Sequence, residues 1–233
     1  MRKGQQIQEM FDSIADRYDR MNRIMTLGQD RRWRQFLIKR AELKPGLKVL
    51  DIATGTGDIA LAIRAQSDCQ VTGADFSAGM LAHAQKRNHA DQIKWVQADA
   101  HALPFPDASF DRVVFGFLLR NVEHLEGVLS EVYRVLKPGG LMVGLDTCPP
   151  HGIMALPATL YCRIMIPALG WIIGRAPQAY KYLSDSTQAF LLPEELAQKM
   201  RDQGFQAVGF QKFSFGTIAV HWGQKAESPT ELC

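Results

Sequence analysis

Apolar residues recur at three- and four-residue steps over 7–24, where Ile7, Met10, Phe11, Ile14, Tyr18 and Met21 share one face. That spacing predicts an amphipathic helix. A second helix is expected over about 30–41, with Asp30 as its N-cap and Lys44-Pro45-Gly46 beyond its end. From there the pattern changes to short apolar runs alternating with helical periods. Strands are predicted at 47–53, 69–75, 94–100, 110–119 and 141–147, with helices at 59–65, 76–88 and 125–136, the last ended by Lys137-Pro138-Gly139-Gly140. Such alternation reads as an α/β fold with a parallel sheet and right-handed crossovers. Residues 149–192 interrupt it, and a helix at 193–203 then precedes two strands, 204–214 and 215–226, with no helix between them. Those two are expected to pair as an antiparallel hairpin. The expected organisation is therefore a helical arm (1–45), an α/β core (46–148), an apolar helical insertion acting as a lid (149–192), a C-terminal helix and hairpin (193–226) and a loose tail (227–233).

Composition narrows the class. With 233 residues, 46% of them hydrophobic and 22% charged, the chain is an ordinary globular protein rather than a disordered one. The net charge of +3 is too mild to imply a nucleic-acid partner, but the excess is local. Residues 1–40 carry ten Lys or Arg against five acids, including Arg20, Arg23, Arg31, Arg32 and Arg34. None of Cys69, Cys148, Cys162 and Cys233 forms a CxxC pair, so neither a zinc site nor a disulfide framework is expected, and reduced thiols with a cytoplasmic setting are the default. The polar N-terminus shows no apolar h-region, so no signal peptide is expected. Residues 152–174 are long and mostly apolar, but Arg163, two prolines and three glycines argue for a buried or lipid-facing hairpin rather than a spanning helix.

The chemistry concentrates at Asp51-Ile52-Ala53-Thr54-Gly55-Thr56-Gly57-Asp58, which closes a predicted strand and opens a helix. Gly55 and Gly57 permit close approach of the backbone to a ligand, and the helix N-terminus offers unpaired N–H groups. With Ala60 the segment also satisfies the G-x-G-x-x-A dinucleotide fingerprint, which is weak by itself. The next two strands end at Asp75 and at Asp99-Ala100, so three acids converge on the sheet edge where open α/β folds bind ligands. Carboxylates before and after the glycines are poor neighbours for a pyrophosphate. They suit S-adenosylmethionine, which carries a sulfonium, an ammonium and one carboxylate. Thr54, Gly55, Thr56, Gly57, Asp51, Asp75, Phe76, Asp99, Ala100 and Gly116 are the expected cofactor contacts. A nicotinamide-dependent dehydrogenase and a non-catalytic cofactor-binding protein are the rival classes.

Eight stretches carry a resemblance. VLDIATGTGD, GADFS, QADAHALPFPDASFD and RVLKPGG resemble class I S-adenosylmethionine-dependent methyltransferases of Rossmann-like fold. FDSIADRYDRMNRIMTLGQDRRW (11–33), Leu119-Arg120-Asn121-Val122, Tyr182-Leu183-Ser184-Asp185-Ser186 and FGTIAVHWGQK resemble segments of the ubiquinone/menaquinone C-methyltransferase (UbiE-like) family. The resemblance covers about 8–226. It departs at Asp30, where the family usually has His, and at Asp146-Thr147-Cys148, where it usually has Glu-Phe-Ser.

The resemblance implies methyl transfer to a ring carbon of a reduced quinone with a polyprenyl tail. A hydroquinone carbon is a weak nucleophile until a neighbouring hydroxyl, with a pKa of about 10, loses its proton. Arg120 is the expected phenolate stabiliser and Asn121 the residue fixing the ring. Tyr18, Asp146, His221 or a water could take the proton; the guanidinium cannot. The alternative acceptor is a soluble aromatic metabolite. The remaining expected partners are a membrane surface, through the basic arm and 152–174, and a second copy of the chain.

Overall fold

The computed structural model describes residue 10, residue 12 and residues 19–150, 159–160, 164 and 177–227. Tyr18 and nearly all of the apolar stretch 152–174 lie outside the described residues.

Seven strands form one sheet: β1 (Lys48–Ile52), β2 (Gln70–Asp75), β3 (Lys94–Gln97), β4 (Phe110–Gly116), β5 (Leu136–Thr147), β6 (Phe205–Phe213) and β7 (Ile218–Lys225), in the order β3-β2-β1-β4-β5-β7-β6. The first five run parallel, while β7 pairs antiparallel with both β5 and β6. This is the predicted mostly parallel sheet with its C-terminal hairpin. Helices α1 (Asp30–Arg40), α2 (Asp58–Gln66), α3 (Ala78–Gln85), α4 (Leu125–Val135), α5 (Pro177–Gln188) and α6 (Pro193–Asp202) surround it, and residues 19–25 add a helical segment before α1.

The packing follows the sequence pattern. In α4, Val128, Leu129, Val132 and Val135 fall on one face at steps of one, three and three, and all are fully buried against β1, β4 and β5. On the opposite face of the sheet, Leu37 and Ile38 of α1 and Ile59, Ala60 and Ile63 of α2 pack on Val49, Val143 and Val220. Each such aliphatic side chain contributes about 1.5–3 kcal/mol by leaving water.

Several boundaries differ from expectation: β3 ends at Gln97 and β4 at Gly116, each three residues early, so Asp99 lies just beyond its strand. The Lys137-Pro138-Gly139-Gly140 turn is absorbed into a long β5, and the ladder to β4 slips between Phe110 and Arg112 to accommodate it. Asp30 is not an N-cap: it is the first residue of α1, Gln29 stands at the cap without a side-chain bond, and Asp30 is buried.

Candidate active site

A cavity of about 570 Å³ opens at the carboxyl ends of β1, β2, β3 and β4. This is where a parallel sheet leaves a crevice between diverging crossovers. Thr54, Gly55, Thr56, Asp75, Phe76, Asp99, Ala100, Gly116 and Asn121 line it, so most of the residues expected to hold a cofactor are brought together there.

The glycine turn is shaped by two left-handed residues. Gly57 (φ 85°) caps α2, and a Cβ there would sit 2.8 Å from the Trp95 ring. Gly55 (φ 57°) has open space where a Cβ would go, so its backbone is bare toward the cleft. Two non-glycine residues lining the cavity, Ala53 (φ 52°) and Phe117 (φ 62°), also hold left-handed backbones. Such strain is stored where surrounding structure enforces it, often at functional sites.

The three strand-end acids differ in what they face. Asp75 accepts N–H bonds from Gly55 (2.7 Å) and Ser77 (2.8 Å), tying the glycine turn to the start of α3. Burial raises its pKa against the pull of those bonds. Asp99, half-exposed, pairs with the His101 ring at 2.8 Å. Asp51, expected as a direct contact, does not reach the cavity. It is fully buried, and one oxygen accepts from the Thr54 hydroxyl (2.6 Å) and the Ala60 N–H (3.1 Å) while the other has no partner. Its role in the structure is to brace the turn. Gly57 is likewise outside the lining, serving the turn's geometry.

Burial pushes the Asp51 pKa up to about 7. Asp51 therefore binds its proton more tightly in the fold than in the unfolded chain. The penalty for ionising it is absent at low pH and grows as pH rises from about 4 to about 7. Asp51→Asn removes that penalty, so the variant's thermal stability relative to the parent is expected to climb across this window, by up to about 1.4 kcal/mol per pH unit. Parallel melting curves at pH 4–8 with a constant gap would refute it.

Further residues complete the cleft, of which only Asp58, the carboxylate after the glycines, was expected from the sequence. Asp19, Arg34, Asp58, His101, Glu123 and His124 line it, so among the described lining residues there are five carboxylates and one guanidinium, with Arg87 pairing Asp58 at 2.5 Å from outside the lining. Asp19 accepts from the Thr56 hydroxyl at 2.7 Å, joining the N-terminal arm to the glycine turn. Burial raises its pKa. Arg34 lies 2.5 Å from Asp30 and 3.2 Å from Asp58. Asp30, itself held by the Thr26 hydroxyl (3.0 Å), thus aims Arg34 at the cleft. A signal existed: Arg34 follows Asp30 by one helical turn, a spacing that pairs opposite charges.

Arg120 stands apart from the cavity. Its guanidinium is buried, bonds Asp146 at 3.0 Å and Thr147 at 3.3 Å, and stacks 4.9 Å from the Phe117 ring centroid. Its Nε has no partner. Asn121 does line the cleft, donating to the Phe117 carbonyl (2.8 Å) and accepting from the Tyr182 hydroxyl of α5 (3.2 Å). His221 is not at the site. It is buried on β7 with Nε2 3.0 Å from the Pro193 carbonyl, which requires a proton on that nitrogen, and burial drives its pKa down to about 4. Cys69 and Cys148 are buried free thiols, and burial pushes Cys148 up to about 12. Among the described residues no group of His, Cys, Asp and Glu could hold a metal ion.

Residues 1–225 match the model of the ubiE/COQ5 methyltransferase family. The chain belongs to that family. This ubiE/COQ5 methyltransferase is 51% identical over 225 residues to the ubiquinone/menaquinone biosynthesis C-methyltransferase UbiE of Desulfotalea psychrophila, covering 96% of this chain and 92% of the relative. It is 41% identical to the demethylmenaquinone methyltransferase of Thermus thermophilus, covering 93% of this chain and all of that one. Among solved structures, the [4+2]-cyclase SpnF superposes with a TM-score of 0.72 at 18% identity, covering 97% of both chains. Phosphoethanolamine N-methyltransferase 2 of Haemonchus contortus, in complex with S-adenosyl-L-methionine, superposes at 0.65 and 19% identity over 83% of this chain and 52% of that one. These structural likenesses show the fold that the ubiE/COQ5 methyltransferase shares.

Proposed function

We propose that this chain is an S-adenosylmethionine-dependent C-methyltransferase acting on a prenylated quinol of the demethylmenaquinol or ubiquinol-precursor type. Family membership supports the reaction class, and the acid-rich cleft is the observation that carries the cofactor. S-adenosylmethionine, when bound, supplies an electrophilic methyl group on a sulfonium. The lining suits it: in this reading Asp75, beside Gly55, would accept ribose hydroxyls, Asp99 and Ala100 would hold the base, and Asp19 and Asp58, the latter also paired with Arg34 and Arg87, would supply negative charge for the ammonium. Arg34 is the matching site for its single carboxylate. A diphosphate would instead meet Asp58 at the first turn of α2.

For the acceptor, Asn121 offers an amide at the cleft wall, held from behind by Phe117 and Tyr182. Arg120, behind Phe117 and outside the cleft, would act on a phenolate forming next to the attacking carbon through its positive charge and through the wall it supports. Its charge is shared with Asp146, so the pair positions more than it attracts. Alignment of the nucleophilic carbon with the transferred methyl is the larger part of catalysis. Tyr18 stays a proposed contributor to proton removal, as does a water in the cleft. The polyprenyl tail calls for peripheral association with a membrane from the cytoplasmic side. Among the described residues no helix is long and apolar enough to cross one.

Calorimetry should show binding of S-adenosylmethionine and none of NADH. Turnover should be high on demethylated quinols and low on soluble phenols, and the chain should restore methylated quinone to the lipid extract of a mutant lacking that step. Preference for soluble phenols would move the acceptor to a small aromatic metabolite. Asp75→Ala is expected to raise the cofactor Kd at least tenfold, about 1.4 kcal/mol. An unchanged constant would remove Asp75 from the cofactor.

A further inference from the structure

Two loops at the carboxyl edge of the sheet each present a large apolar side chain to solvent. Leu27 is 81% exposed and Phe215 is 77% exposed. Both hold left-handed backbones that non-glycine residues rarely adopt, at φ 50° and 57°. Strain of this kind costs about 1–3 kcal/mol per residue, and neither side chain recovers it through burial. The loops are joined: the Ser214 hydroxyl lies 3.0 Å from Gln29 Oε1. The Phe215 loop is also tied to the end of β5, where the Cys148 N–H donates to the Thr217 carbonyl at 2.8 Å. Both loops therefore flank the edge that carries the cleft, since β7 starts opposite the last residue of β5.

The exposed charge flanking Leu27 in the chain is basic. Arg20, Arg23, Arg31 and Arg32 are exposed on either side of Leu27 in the chain. The acids of that stretch are occupied inward, Asp19 on Thr56 and Asp30 on Arg34. Exposed apolar side chains with exposed arginines close by in the chain are the chemistry of an interface with an anionic bilayer: the apolar tip enters the acyl boundary, and each cation contributes about 1 kcal/mol near the charged surface.

We infer that Leu27 and Phe215 form a wedge that seats this chain on an anionic lipid surface, with the arginines of 20–32 on the headgroups and the cleft edge turned toward the membrane. The inference deepens the prenyl-quinol reading by naming the surface through which a bilayer-resident acceptor would be reached. A second copy of the chain is the competing occupant of the same face.

The test is vesicle flotation with the full chain, using vesicles of equal parts phosphatidylglycerol and phosphatidylcholine and vesicles of phosphatidylcholine alone. The parent is expected to float with the anionic vesicles and far less with the neutral ones. Phe215→Gly should weaken that binding about tenfold, and Leu27→Ser should do the same. Phe215→Gly should also melt no lower than the parent, because glycine adopts φ 57° without strain, so a loss of binding cannot be ascribed to misfolding. Turnover on a short-chain soluble quinol should be unchanged in both variants. Parental flotation that survives both substitutions would overturn the wedge while leaving peripheral association standing. No flotation by the parent, with normal turnover on the soluble quinol, would overturn membrane seating and leave the chemistry intact. Concentration-dependent self-association abolished by Phe215→Gly, without flotation, would assign the face to a second copy instead.

Discussion

Arg120→Ala is expected to lower kcat by about 10²- to 10³-fold while leaving the cofactor Kd essentially unchanged. The guanidinium lies behind Phe117, outside the cofactor cavity, so its removal touches the acceptor's wall and not the adenosyl-binding residues. The substitution has a second consequence. It strands Asp146, which is 2% exposed and has that guanidinium as its cationic partner. Removing one member of a buried pair costs about 3–5 kcal/mol when the other stays charged. Burial already raises the Asp146 pKa, so part of that cost is avoided by protonation. The double variant Arg120→Met with Asp146→Asn removes both charges and should melt closer to the parent. It is expected to be as slow as the single variant. Near-parental turnover in the well-folded double variant would take Arg120 out of the chemistry.

The second large effect falls on Arg34. Arg34→Met is expected to weaken S-adenosylmethionine binding roughly 30- to 150-fold, the range for a partly desolvated charged hydrogen bond of about 2–3 kcal/mol. The decarboxylated analogue of the cofactor supplies the control. The parent should bind it much more weakly than the intact molecule, and the variant should bind both alike. Calorimetry decides: an equal loss for the two ligands would mean that Arg34 merely braces Asp58 and α1. The geometry favours the direct role, because Arg34 is the one guanidinium among the described residues lining the cleft, Arg87 reaching Asp58 from outside that lining, and Asp30 orients it.

Much of this was readable without coordinates. The alternation of strands and helices, the C-terminal hairpin and the glycine turn all follow from local periodicity and from backbone freedom at Gly55 and Gly57, as the sheet order bears out. The site was legible where a motif sits at a strand end, which places Asp75 and Asp99 by topology. It was illegible where function depends on packing between distant segments. Asp19 meets Thr56 across 37 residues and Arg120 meets Asp146 across 26, separations that no local pattern reveals. Asp51 shows the same limit in reverse, since its position beside the glycines suggested a ligand and its burial assigns it to the turn.

The amino-acid order alone determined which segments become strands and helices, and with them the edge on which a ligand must lie, because those features depend on near-neighbour spacing. Only the tertiary structure decided which charges face the cleft and which face each other. A carboxylate's pKa and partners depend on the solvent it loses and the groups it gains, and both are set by chains that meet only after folding.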